Sequence, residues 1–248
     1  MAVEGESTHA PLAGRVVLIA GAHGGLGTAA SMACARAGAT VVLLGRRVRN
    51  LERLHDAIAK DPQVASAPVL YPLDLEGATP DDYAELAQRI GDAYGRLDGL
   101  LHCAAEFRGL TPLEHTDPAT FARALHIGLT APWWLTQALL PVLRKSDDPA
   151  VVFVVDDAAR VSQAYWGGYG LAQHGRGALV GMLHAELAGT PIRVSGLQPG
   201  PMRTALRAKA YVDDQDLDAR DPALAAAACV ALLSPAGAAD RGTIRHLA

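Results

Sequence analysis

Val16-Val17-Leu18-Ile19-Ala20-Gly21-Ala22-His23-Gly24-Gly25-Leu26-Gly27 is the stretch that decides the fold. A β-branched apolar run breaks into closely spaced glycines, and the alanine-rich segment Thr28 to Ala37 continues at helical spacing. The pattern predicts strand, tight turn and helix. Such a turn lets backbone come close to a ligand and aims unpaired N–H groups and the positive end of a helix dipole at an anion. A dinucleotide pyrophosphate is the natural guest. Gly21, Gly25 and Gly27 keep a four-then-two spacing, looser than the GxGxxG fingerprint, so an ordinary strand-to-helix turn stays open on this stretch alone.

Working outward, Thr40 to Leu44, Pro68 to Leu73, Leu97 to Ala105, Val151 to Val155, Ile192 to Leu197 and Thr243 to Leu247 read as further strands. Helical spacing covers Val48 to Lys60, Asp81 to Tyr94, Pro118 to Lys145 with an interruption around Gly128 and Pro132, Gln163 to Ala188, and Pro222 to Leu233. Short continuous apolar strands separated by helices predict an α/β chain: a Rossmann fold with a doubly wound parallel sheet of about seven strands, helices on both faces and ligands beyond the strand C-termini. With no linker or repeat in 248 residues, one domain is expected over 1–248, with 1–11 flexible.

A net charge of −4 with 19% charged residues gives no reason to expect nucleic acid or an anionic membrane surface as partner. Cys34, Cys103 and Cys229 are odd in number and far apart, which argues against a disulfide framework and against a zinc site, and fits a reducing cytoplasm. The first eleven residues are polar, and no apolar run reaches the length of a membrane span, so no membrane association is expected.

Taken together, the chain resembles the short-chain dehydrogenase/reductase superfamily over nearly its whole length. Ala20-Gly21-Ala22-His23-Gly24-Gly25-Leu26-Gly27 is similar to that family's TGxxxGIG cofactor motif, with Ala20 in place of threonine; Asp74-Leu75 is similar to the acidic pair ending its third strand, and Pro199-Gly200 with Thr204 to its PGxxxT stretch. Leu97 to His102, Thr136 to Pro141 running on to Asp147, and Tyr165 to Tyr169 resemble the bacterial YciK-type branch.

The resemblance implies a nicotinamide cofactor held by Gly21, His23, Gly25, Leu26, Gly27, Arg46, Arg47, Asp74, Leu75, Ala104, Pro199, Gly200, Met202 and Thr204. Asp74 would bond the adenine amine, unless it only forms a turn, and Thr204 the carboxamide. His23 sits in the turn and reads from the residues as a solvent-exposed loop residue rather than a phosphate ligand. An NAD site ends its second strand with an acid for the ribose 2′-OH; here Leu43-Leu44-Gly45 offers none. Arg46, Arg47 and Arg49 follow at a helix start, where the dipole disfavours cations, and a bound 2′-phosphate would relieve that conflict. NADP(H) is therefore expected over NAD(H). A solvated basic helix start, with no cofactor bound, is the alternative.

In the family a tyrosine gives its proton to a carbonyl, a lysine four residues later lowers its pKa, a serine thirteen residues earlier bonds the carbonyl, and an asparagine completes a proton relay. Tyr169 fits the tyrosine, but the lysine position is Gln173, the serine position Asp156 and the asparagine position Gly128. His102-Cys103-Ala104-Ala105 also puts a thiol where asparagine is expected and a methyl where glycine lets the cofactor approach. A lysine about 4 Å from the phenol contributes roughly 4 kcal/mol at an effective dielectric near 20, equivalent to about three pKa units, and Gln173 supplies none of it. An ionised Asp156 would push the phenol pKa further up.

Two functions remain from these residues. One is an NADP-dependent carbonyl reductase with impaired or atypical activity on a small carbonyl or alcohol. The other is a pseudoenzyme, a dinucleotide-binding or scaffold subunit partnering an active paralogue. Non-redox acid/base chemistry by Asp156 and Tyr169 is a third. Asp156-Asp157 is an acid pair or a metal toehold without an evident third ligand, so no metal is expected. Trp133, Trp134 and Trp166 read as packing residues, or as the lining of a pocket or interface; family members form dimers and tetramers through the two long helices. The glycines of the Tyr169 helix imply either close packing or mobility, and the charged loop Met202 to Asp221 occupies the family's substrate-lid position.

Overall fold

The computed structural model describes residues 10–211 and 219–247. The flexibility expected for 1–9 and the centre of the charged loop lie outside the described residues. Strands β1 (Val16–Ala20), β2 (Thr40–Gly45), β3 (Val69–Pro72), β4 (Gly99–His102), β5 (Ala150–Val154), β6 (Arg193–Gln198) and β7 (Ile244–His246) form one sheet in the order β3-β2-β1-β4-β5-β6-β7. Every pairing is parallel. The crossovers are helices α1 (Gly25–Arg36), α2 (Val48–Ala59), α3 (Pro80–Tyr94), α4 (Pro118–Leu125), α5 (Ala131–Leu143), α6 (Ala158–Val161), α7 (Gly167–Glu186) and α8 (Pro222–Leu233).

Because side chains alternate across a strand, β1 feeds both faces of the sheet. Val16, Leu18 and Ala20 join the core beneath α3, α5 and α7, whereas Val17 and Ile19 join the core beneath α1, α2 and α8. The order in which strands are added reverses between β1 and β4, which opens a crevice at their C-terminal ends, and the candidate site lies there.

Three element boundaries differ from expectation. Helix α1 begins at Gly25, so the last glycines form its first turn rather than precede it. The interruption at Gly128 is a single π turn over His126–Thr130 that runs straight into α5, where Pro132 has no N–H to give the Gly128 carbonyl four residues earlier. The helix expected from Gln163 starts later, after the separate short helix α6. Tyr165 adopts φ 79° between α6 and α7, so the chain turns there, and α7 starts only at Gly167.

Close packing accounts for three of the six glycines of α7. A Cβ on Gly168 would stand 2.6 Å from the Phe121 carbonyl oxygen, one on Gly175 2.6 Å from Leu129, and one on Gly170 would overlap the Val161 carbonyl. Gly181, exposed inside the helix, meets nothing. Gly181→Ala is therefore expected to stabilise the protein by about 0.5–1 kcal/mol and Gly170→Ala to destabilise it, both read from urea unfolding midpoints.

Candidate active site

A cleft of about 380 Å³ runs along the C-terminal ends of β1, β2, β4 and β5. The glycine turn forms its floor. Gly21 adopts φ +83° and a Cβ there would stand 2.7 Å from Ala104 N, while one on Gly25 would stand 2.6 Å from Thr204 Cγ2. The turn can thus pass between two neighbours only without side chains. Gly24, the N-cap of α1, gives no side-chain cap, and the first turn carries no acid, so the helix presents its N–H groups and dipole at the cleft.

Of the residues expected to hold a dinucleotide, Gly21, His23, Gly25, Leu26, Arg46, Arg47, Asp74, Leu75, Ala104, Pro199, Gly200, Met202 and Thr204 all line this cleft. Gly27 does not. It is buried beneath the Gly21 carbonyl, where any side chain would overlap the turn, so its role is to let helix and strand close up. Asp74 Oδ1 accepts from Glu76 N at 3.2 Å, the turn-forming role, and remains exposed at the rim. Thr204 Oγ1 accepts from Arg207 N at 3.2 Å while its methyl covers Gly25.

His23 is not a solvent-exposed loop residue. Its ring lies over Gly45, where a Cβ would overlap Nδ1, and that nitrogen is buried without a hydrogen-bond partner. Burial, then the charges of Arg47 and Arg46, hold its pKa below the ordinary histidine value. The imidazole thus fills the position at the end of β2 where an acid would select NAD. Arg46 is also not free: it pairs with Glu106 at 3.5 Å and with Glu76 at 4.0 Å, and Arg123 holds Glu76 at 2.5 Å. Arg47 stays exposed at the rim.

At the other end of the cleft, Tyr169 on α7 donates its hydroxyl to Asp156 Oδ2 at 2.7 Å. Asp156 follows β5; its Oδ1 accepts from Asp157 N at 2.7 Å and from the Arg160 guanidinium. Burial is the largest single influence on Arg160 and lowers its pKa, but the charge and hydrogen bond of Asp156, together with Tyr211, outweigh it and hold the guanidinium above its ordinary value. Burial first, and the Asp156 charge second, push the Tyr169 phenol well above the ordinary tyrosine value. Gln173 Oε1 accepts from Asp156 N at 3.1 Å, so the lysine position faces the site but supplies no charge.

Gly128 lies off the cleft wall, beneath α7, where a Cβ would stand 2.7 Å from Ala172 Cβ. An asparagine there would not fit without moving α7. Its carbonyl is instead held by Arg176, which sequence reasoning missed. Arg176 is 1% exposed and donates Nε to Gly128 O at 2.9 Å, Nη1 to Val154 O at 2.9 Å and Nη2 to Ala104 O at 2.8 Å. One guanidinium therefore ties the π turn to the ends of β4 and β5. Burial lowers its pKa only to about 10, so it stays charged at neutral pH. Its helical spacing, seven residues after Tyr169 and three after Gln173, was the available signal.

Trp166 packs and also lines the cleft: Phe107 stacks on it at 5.1 Å, and Tyr169 and Tyr211 lie 5.7 and 6.4 Å away. His174 points outward to Ser162 Oγ at 2.8 Å. Asp157 is spent on the Arg160 N–H and on Gln198, and among the described residues no group of three His, Cys, Asp or Glu side chains is placed to hold a metal ion. Cys34 and Cys229 are buried free thiols; Cys103 lines the cleft, half-buried.

A model of the short chain dehydrogenase family matches residues 15–215, and the chain belongs to that family. The uncharacterized oxidoreductase YciK of Escherichia coli K12 is 35% identical over 209 residues, which are 84% of this chain and 82% of YciK. Solved chains from Escherichia coli CFT073, complexed with NADPH, and Shigella flexneri 2a, complexed with NADP, superpose with TM-scores of 0.90 at 33% and 32% identity. Each comparison covers 96% of this chain and 98% of the other. The family is one of oxidoreductases, and in this chain the glycine turn and the open first turn of α1 face the cleft. No helix among the described residues is long and apolar enough to cross a membrane.

Proposed function

We propose that this chain is an NADP(H)-dependent reductase whose site is confined to the reductive direction. The observation that carries the reading is the Tyr169–Asp156 hydrogen bond: a buried phenol bonded to a carboxylate keeps its proton, and abstraction of a proton from an alcohol needs a phenolate. When bound, the cofactor supplies hydride. The chain's own residues would cradle its pyrophosphate with the first turn of α1, take the 2′-phosphate at Arg47, Arg46 and His23, and place the reacting group beside Tyr169. Arg46 would exchange Glu106 for phosphate. NADP and NADPH in the two solved relatives support the cofactor choice.

The test is turnover. NADPH consumption is expected with aldehydes, ketones or imines, and no alcohol is oxidised with NADP⁺ at neutral pH; oxidation as fast as reduction overturns the reading. A pseudoenzyme is the second reading, favoured by the Asp156 carboxylate standing where the family places a hydroxyl donor. It requires a native protein silent on every substrate. Trp133 on α5, and Leu171 and Met182 on α7, are 42%, 55% and 60% exposed, which supports a dimer or tetramer through these helices. A cytoplasmic location fits the free cysteines.

The 2′-phosphate assignment has a pH signature. An anion beside Arg46 and Arg47 raises the depressed His23 pKa, so binding takes up a proton and affinity for NADP⁺ rises as pH falls through about 6.5 and below. NAD⁺ should lack this dependence, and His23→Gln should remove it from calorimetric titrations of NADP⁺.

A further inference from the structure

The polar end of the cleft presents acceptors. Tyr169 donates its hydroxyl hydrogen bond to Asp156 Oδ2, so its oxygen offers only lone pairs to anything in the cleft. Asp156 Oδ1 is taken by Asp157 N and Arg160, but Oδ2 receives only Tyr169 among the described residues, which leaves one of its two lone pairs open. The adjoining wall is aromatic: Phe107 lies 5.1 Å from both Trp166 and Tyr169. Aromatic faces attract cations.

A carbonyl oxygen is itself an acceptor and gains negative charge as it is reduced. Placed here, it meets lone pairs and a carboxylate. A protonated imine, C=N⁺–H, presents a donor and a positive charge to the same atoms. The cations of the cleft do not reverse this. Arg160 is committed to Asp156 Oδ1 and lies 5.5 Å over the Trp166 ring, which leaves the Phe107 and Tyr169 part of the wall to a further cation; Arg176 is committed to three carbonyls, Lys209 to the Phe107 carbonyl at 2.7 Å, and Arg207 lies 4.4 Å over the Tyr211 ring. Asp156 is the charged group in direct contact with the Tyr169 hydroxyl.

We propose that the group reduced in this cleft is a protonated imine, with Asp156 Oδ2 and the Tyr169 oxygen holding the N–H⁺ against the aromatic wall. The inference rests on the reductase reading above. The imine carbon gains a hydride, with a reduced nicotinamide dinucleotide as reductant. One C–H bond forms, the C=N π pair becomes the nitrogen lone pair, the nicotinamide is oxidised, and no proton moves in the step. The product is a neutral amine, which takes a proton from water. Such a reaction needs neither the lysine nor the serine donor that this chain lacks.

The test is equilibrium binding, by calorimetry, to protein saturated with NADP⁺. The probes are cyclic amines protonated at neutral pH, phenylpyrrolidine among them, each paired with its neutral ketone isostere such as phenylcyclopentanone. The expected result is a preference of about tenfold or more for the amine of at least one pair, lost in Asp156→Asn. The same pair should show faster NADPH-dependent reduction of the imine than of the ketone. Equal binding throughout, tighter ketone binding, or a preference that survives in Asp156→Asn overturns the inference while leaving the reductase reading intact. Failure of NADP⁺ itself to bind overturns both.

Discussion

Replacing Arg176 by methionine is expected to destabilise the protein by about 2–4 kcal/mol, because one buried and two partly buried carbonyl groups lose their donor at once. Ala104 O, Val154 O and Gly128 O belong to three different elements, and no second side chain among the described residues joins them. Methionine restores the volume but none of the hydrogen bonds. For a chain of this length the melting temperature should fall by roughly 10 °C. Arg176→Lys keeps the charge but cannot fan three donors, and should recover only part of the loss. Equilibrium urea unfolding measures both. A loss below about 1 kcal/mol for Arg176→Met would mean that water replaces the guanidinium without cost, and the description of Arg176 as the tie between the site elements would be wrong.

The double replacement Asp156→Ser with Gln173→Lys is expected to bring the Tyr169 pKa down by about three units or more. A lysine charge near 4 Å supplies roughly 4 kcal/mol at an effective dielectric near 20, and removal of the carboxylate adds to it. Tyrosinate absorbance, taken as the difference from the same variant carrying Tyr169→Phe, reads the shift directly. Alcohol oxidation with NADP⁺ should appear at about a hundred to a thousand times the native rate at neutral pH. Gly128 is left unchanged in this variant, because an asparagine there would strike Ala172. If the phenol pKa stays where it is, burial alone governs Tyr169 and Asp156 has no electrostatic hold on it.

The architecture was legible because the apolar runs are short, unbroken and separated by helices. Val16 to Ala20 reads as a strand buried on both faces, and it is. The parallel order and the crevice follow from the same alternation. The boundaries that slipped did so where local backbone conformation decides: Tyr165 takes a left-handed φ that no composition signals, and Gly25 to Gly27 enter the helix because the Gly21 carbonyl sits directly above Gly27. At the site, two departures from the family pattern, Asp156 and Gln173, were visible by counting from Tyr169, and the third, Gly128, by aligning the long helix. Their consequences were not. An arginine on a glycine-rich helix reads as solvated, and only the packing of α7 against the π turn buries Arg176. The ring of His23 over Gly45, and the hold of Glu106 on Arg46, join residues far apart in the chain, and no local pattern carries such contacts.

Calorimetric titration of the purified protein with NADPH and, in parallel, NADH tests the central claim most directly. The account predicts NADPH affinity on the order of micromolar or tighter, at least about tenfold above NADH. It also predicts loss of that preference in Arg47→Ala. Binding of neither cofactor, or equal affinity for both, would contradict it.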